Sequence, residues 1–365
     1  MTDRADAMRD FLARAGWGAA EIAPLPGDAS TRRYARARLG GRVAMVMDQP
    51  QGAETPVAPA GASAEQRRAL GYNAVARLAG ADCARFVAAS NYLRSKGLSA
   101  PEIYFGDPQN GFLLIEDMGD ALYADVLAGG GSELELYKAA ADALAVLHAE
   151  EAPTALAPDK PLFVYDETAL LAETDLLTEW YLPFALGRPA NESEIAEHRA
   201  LWRKALHPVL SARPAFVHRD YHAQNLLWLP DRPGPARAGL IDFQDAVAGS
   251  RAYDLISLIE DARRDVSPEL AAATTEHYLA AMKARGEVVD KAAFAREMAV
   301  MAAQRNAKIV GIFARLHKRD GKSRYLSYLP RVWTYLNHDL EHPALAELAA
   351  WYDRTIPRDI RMKDS

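Results

Sequence analysis

A single cysteine, Cys83, stands in a chain of 365 residues, which excludes an internal disulfide and a thiolate metal cluster. It sits in "ADCARF" among small and apolar neighbours, the setting of a buried, inert thiol rather than a nucleophile. No apolar run approaches the ~18 residues of a membrane span. The N-terminal "MTDRADAMRDFLARAG" mixes both charge signs and lacks the apolar stretch of a signal peptide, so a cytoplasmic location is expected. Positive charge is not in excess either. The formal net charge is −6, which provides no general basic field for nucleic acid or membrane. Internal repeats are absent. Hydrophobic residues make up 50% and charged residues 25% of the chain, an ordinary globular composition, and its length points to two domains with ample core. None of this sets an oligomeric state.

What is present changes character along the chain. "TRRYARARLGGRVAMVMDQ" alternates, turns at Gly40-Gly41 and resumes, a β-hairpin pattern. "PQGAETPVAPAGASAEQ" lacks any period and reads as an exposed loop. A helix is expected from Cys83 to Lys96, ended by Gly97. Two short strands follow in "PEIYFGDPQNGFLLIEDMG", around a turn rich in Asp, Pro, Asn and Gly. After Met118 helical spacing dominates: Leu134, Tyr137, Ala141, Leu144 and Leu147 share one face, and helical patterns recur at 167–180, 192–206 and from 268 onwards. The expected architecture is α+β in two lobes, a small strand-rich lobe over 1–118 with one embedded helix, then a larger, mainly helical lobe over 119–365.

Polar residues concentrate in "VHRDYHAQNLLW" (217–228) and "LIDFQDA" (240–246). "NLLWL" and "AGLIDF" can pair as a hairpin, which brings Asp242 to Asn225. An amide oxygen and a carboxylate at a strand end form a hard oxygen site suited to Mg²⁺. Asp220, in the preceding turn, is placed to accept a proton from a hydroxyl, and the set matches phosphoryl transfer. "HxD" or "DF" alone would be structural more often than catalytic; their order and spacing together make them specific. His218 reads as a brace for the loop, and Asp254 in "GSRAYDLISL" as an anchor for the helix that follows it.

"HRDYHAQN" with "IDFQD" resembles the catalytic and metal loops of the aminoglycoside and choline phosphotransferases, small-molecule relatives of the protein kinases, and "FLLIEDM" resembles their adenine-contacting connector. The resemblance covers most of the chain and implies a bilobal protein-kinase-like fold, ATP as donor and Mg²⁺. It makes Asp220 the base, Asn225 and Asp242 the metal residues and Ile115 the residue behind adenine, with the Glu116 carbonyl and Met118 amide at the base edge. "GDASTRRYAR", "VMDQP", "LLTEWYLPFALGRP" and "GIFARLHKRDGKSRYLSYLPRVWTYL" are similar to segments of the bacterial anomeric N-acetylmuramate/N-acetylglucosamine kinases. That implies an amino-sugar acceptor phosphorylated at C1 and a role in peptidoglycan recycling. Two alternatives stay open: a kinase for another small alcohol, such as an aminoglycoside, choline or homoserine, and a non-catalytic nucleotide-binding regulator.

One departure from the kinase pattern matters. The third strand, "RVAMVMDQ", offers Met47 and Asp48 where a phosphate-binding lysine is expected, and the helix from Cys83 shows no inward glutamate. Arg32 or Arg33, in "DASTRRY", is the candidate replacement, with Gly27, Ser30 and Thr31 as added donors. For the acceptor, Asp175 and Glu179 lie four apart on one helical face. Trp180 and Tyr181 are candidate stacking platforms, His222 and Gln224 lie beside the base, and Lys318, Arg319, Lys322 and Arg324 form a basic cluster.

Overall fold

The computed structural model describes residues 4–26, 31–50 and 57–361. They cluster into two compact units, Met1–Gly131 with Thr154–Leu162 and Gln224–Ala246, and Ser132–Pro153 with Phe163–Ala223 and Val247–Ser365.

The first unit is built on five antiparallel strands, β1 (Glu21–Pro24), β2 (Arg33–Leu39), β3 (Arg42–Asp48), β4 (Ile103–Asp107) and β5 (Phe112–Glu116), in the order β1-β2-β3-β5-β4. β2 and β3 pair from Arg33↔Asp48 to Leu39↔Arg42. The two-residue turn between them needs positive φ at both positions, which Gly40 and Gly41 adopt at 54° and 80°. Alternation puts Ala35, Ala37, Ala44 and Val46 on one face, where they pack with Phe112, Leu114 and Trp17 against Phe11 and Leu12 of the helix Arg4–Arg14. The helix Cys83–Ser95, capped by Asp82, buries Cys83, Phe86, Ala89 and Leu93. Burial pushes the Cys83 thiol up to about 11, as suits an inert thiol.

One expectation needs correction here. The end of the supposed loop is helical: Ser63 and Gln66 form a reciprocal capping box that starts the helix Ala64–Leu70. The compact units do not follow chain order: the hairpin of Leu226–Trp228 and Ala238–Leu240 belongs to the first unit. It is tied there by the bridges Leu122↔Leu227 and Ser99↔Gly239, by Leu240 N–H donating to the Ser99 carbonyl at 2.7 Å, and by the ion pair Arg232–Glu116.

In the second unit the 30-residue helix Lys291–Asp320 packs against the helices Glu167–Leu176, Ala252–Ile259 and Leu329–Asp339. Its Gly311 touches the Leu176 backbone so closely that an added Cβ would lie 2.4 Å from the Leu176 carbonyl carbon. His148 and His198 are fully buried here, His198 accepting from Trp202 Nε1 at 2.9 Å. Burial lowers both imidazoles to about 3. Their unfolded forms take up a proton near pH 6.5, so the stability they contribute is complete above that pH and is lost as pH falls toward 3. Between pH 6.5 and 5 the loss is about 2 kcal/mol for each histidine. Asp254, pushed up to about 7 by burial, acts with the opposite sign and offsets roughly half of that sum. Removing one of these imidazoles should therefore lessen the loss: between pH 7 and 5 the melting temperature of His198→Gln should change in the stabilising direction relative to wild type, and the same pH dependence in both proteins contradicts this.

Candidate active site

The strand Ala215–Val217 delivers the chain into the turn carrying Asp220. Arg219 there adopts φ 79°, a left-handed conformation uncommon outside glycine. The brace that holds it is Asp254, which is fully buried and accepts from the backbone N–H groups of His218 at 2.6 Å and Arg219 at 2.9 Å. Asp254 lies inside the helix Ala252–Ile259, so it anchors the turn that carries Asp220 rather than the end of its own helix. His218 is buried edge-on to Tyr221, consistent with the bracing expected of it.

Beneath that turn lies a charge cluster that sequence reading missed. Glu173 is completely buried and receives Arg219 at 2.5 Å, Lys308 at 3.1 Å, Gln304 Nε2 at 3.0 Å and the Tyr165 hydroxyl. Lys308 also donates to the Tyr253 hydroxyl at 3.1 Å. Burial opposes the charge on Glu173, but Lys308 and Arg219 outweigh it and hold the carboxyl below its ordinary value. The same balance acts on half-buried Asp220: burial raises its pKa, Lys308 and Arg219 lower it further, and the carboxylate stays ionised. A signal was present, since Glu173 interrupts the apolar stripe of Leu170 and Leu177, where an acid must be paired to be buried.

In the first unit the hairpin brings Asn225 Nδ2 to 3.5 Å from Asp242 Oδ2. Asp242 has φ 64°, a conformation Asp and Asn tolerate better than most residues. Its other oxygen, Oδ1, meets Gln244 Nε2 at 3.1 Å and Arg32 Nη1 at 3.2 Å, and Arg32 Nη1 also donates to Gln244 Oε1 at 2.6 Å. The Arg32 side chain is 10% exposed and that of Asp242 42%, so the carboxylate keeps a solvent face while its cation is enclosed. Burial disfavours the Arg32 charge; Tyr34, Asp242 and Asp245 outweigh it and raise the guanidinium above its usual value. Arg33 is exposed, which separates the two arginines. Thr31 adjoins Arg32, while Ser30 and Gly27 lie outside the described residues. Met47 is fully buried and Asp48 is paired with Arg4, so the third strand presents no cation inward.

The connector is held by Arg36, which binds both Asp117 and Asp120. Ile115 and Met118 are buried, and among the described residues the Met118 N–H meets no backbone acceptor. The Glu116 side chain is occupied by Arg232 and Arg94. The segment beyond the end of β5 can receive a planar heterocycle, with an amide left to donate.

The residues expected at the acceptor divide. Asp175 is buried and clasped by Arg199 Nε and Nη2 at 2.9–3.1 Å. Tyr181 is 3% exposed, its ring 5.3 Å from that of Trp333, so it is core and not a stacking platform. Glu179 and Gln224 are exposed. His222 is buried with Nε2 3.3 Å from Arg263 Nη1, and its backbone N–H donates to the Asp220 carbonyl at 3.1 Å. In the basic cluster Arg319 is paired with Asp320 and the Lys318 ammonium sits over Phe184.

Asn225 and Asp242 supply an amide and a partly exposed carboxylate, a hard donor set that fits Mg²⁺ completed by waters and phosphate oxygens, once the amide turns its oxygen inward. Among the described residues no group of three or more His, Cys, Asp or Glu could hold a metal alone. No helix among them is long and apolar enough to cross a membrane.

Comparison with known proteins agrees with this chemistry. Residues 21–289 match the sequence pattern of the phosphotransferase enzyme family. The N-acetylmuramate/N-acetylglucosamine kinase of Caulobacter vibrioides is 44% identical over 363 residues, 99% of each chain. The Pseudomonas aeruginosa kinase of the same name is 34% identical over 91% of this chain and 89% of its own. The choline kinase LicA from Streptococcus pneumoniae superposes with a TM-score of 0.58 at 13% identity, over 94% of this chain and 98% of that one, which shows the protein-kinase-like fold.

Proposed function

The chain belongs to the phosphotransferase enzyme family, and from that premise we propose that it transfers the γ-phosphoryl group of ATP to the anomeric C1 hydroxyl of N-acetylmuramate and N-acetylglucosamine. The products are the α-1-phosphates, made in the cytoplasm during peptidoglycan recycling. The carrying observation is the 44% identity, sustained over 99% of both chains, to a kinase named for these two sugars.

Asp220 accepts a hydrogen bond from the C1 hydroxyl, aims its oxygen at the γ-phosphorus and takes its proton as the new O–P bond forms, while the bond from the γ-phosphorus to the β–γ bridging oxygen breaks and ADP leaves. A hemiacetal hydroxyl is more acidic than an ordinary alcohol, so a carboxylate of lowered pKa suffices as base. Asn225 and Asp242 hold Mg²⁺, which when bound offsets triphosphate charge and polarises the phosphoryl oxygens. Arg32 replaces the absent third-strand lysine: positioned by Asp242 and Gln244, it binds phosphate oxygens, with Thr31 as an added donor. Ile115 lies behind adenine, and the Glu116 carbonyl and Met118 amide meet its edge. His222, Glu179 and Gln224 face the acceptor. Asp175 is withdrawn from direct contact by Arg199.

An ADP-release assay with N-acetylmuramate, N-acetylglucosamine, kanamycin and choline tests the reading. Turnover is expected with the two amino sugars. Turnover confined to kanamycin or choline would replace this reading with the other small-alcohol kinase.

A further inference from the structure

Several arginines gather around residues 261–265, the segment after the helix Ala252–Ile259. Arg264 is held by Glu133 and the Tyr137 hydroxyl, Arg331 by both oxygens of Asp265, and Arg305 by the Glu260 carbonyl. Arg263 differs. Among the described residues no carboxylate lies within 4 Å of its guanidinium, and its side-chain partner is His222 Nε2. Asp261 is buried and spends Oδ1 on the Arg263 backbone N–H at 2.8 Å. Burial lowers His222 to about 4, leaving the ring neutral at physiological pH. Because Nε2 accepts from Arg263, the ring proton sits on Nδ1, which has no partner among the described residues. Half-buried Arg263 thus presents its guanidinium beside a neutral ring on the turn that carries Asp220, with room on its fork for an anionic ligand to complete it.

We propose that Arg263 is a specificity residue that binds a carboxylate on the acceptor, the group that the lactyl ether gives N-acetylmuramate and that N-acetylglucosamine lacks. The inference rests on the sugar-kinase reading above. A guanidinium fork matches a carboxylate in plane and spacing, and His222 holds that fork on the base-bearing turn. The surface cluster considered from sequence is a poorer candidate, since Arg319 is spent on Asp320.

The test pairs wild type and Arg263→Gln with N-acetylmuramate and its neutral methyl ester, reading kcat/KM. Wild type should favour the acid by about 10- to 100-fold, as expected for one charged hydrogen-bonded pair. Arg263→Gln should bring acid and ester within about threefold of each other, and Arg263→Lys should restore part of the preference. Equal losses on acid and ester would show a merely structural role and overturn the proposal. Equal use of acid and ester by wild type would overturn it too. If wild type turned over neither amino sugar, the sugar-kinase reading would fall and this inference with it, a result distinct from a silent Arg263→Gln.

Discussion

Asp220→Asn is expected to lower kcat by roughly 10²- to 10⁴-fold, about 3–5 kcal/mol of transition-state stabilisation, with the fold intact. Asparagine keeps the shape of the side chain and leaves in place the two backbone hydrogen bonds that Asp254 accepts from the turn. What is removed is the negative charge and the proton acceptor. KM for ATP should change little, because the donor is bound by other residues. Wild-type activity should fall with acid only below the ordinary carboxylate range: the ionised form is the active one, and Lys308 and Arg219 outweigh burial to hold its pKa down. Steady-state kinetics with a matched melting curve decide the matter; near-native turnover would remove Asp220 from the base role.

Asp242→Asn should cost still more, at least about 10³-fold in Mg²⁺-dependent turnover, because a metal site supplies several kcal/mol of charge stabilisation. Asparagine is the better test than alanine. It tolerates the left-handed backbone at this position and can still accept from Arg32 and Gln244. Alanine would strain the turn and strip an enclosed guanidinium of a carboxylate, so a loss of activity could come from unfolding. The informative pattern is an unchanged melting temperature with activity lost and with the Mg²⁺ concentration needed for half-maximal rate raised. Undiminished activity would place the metal elsewhere.

These predictions draw on parts of the molecule that were unequally legible in the sequence. The β2–β3 hairpin was legible because alternation and a Gly-Gly turn point to one structure. The meeting of Asn225 and Asp242 was legible because both sit at the ends of short strands with a hairpin-length connection. Arg32 could be named but not told from Arg33 until the strand's alternation was fixed in space, one side chain enclosed and the other exposed. The Glu173, Lys308 and Arg219 cluster was not legible as a unit, because its members lie up to 135 positions apart and meet only where helices pack. Tyr181 failed for the same reason: a ring beside a carboxylate reads alike whether it faces a sugar or Trp333. Asp254 was misread because helix capping is local, whereas its partners are 35 and 36 residues upstream.

The central claim is the transfer of phosphate to the anomeric oxygen of an amino sugar, and phosphorus NMR of the product made from N-acetylmuramate and ATP tests it most directly. The account predicts one new phosphomonoester resonance split by the anomeric proton, appearing with stoichiometric ADP and absent with Asp220→Asn. A resonance coupled to the C6 methylene protons, or ADP formed with no sugar phosphate, would contradict it.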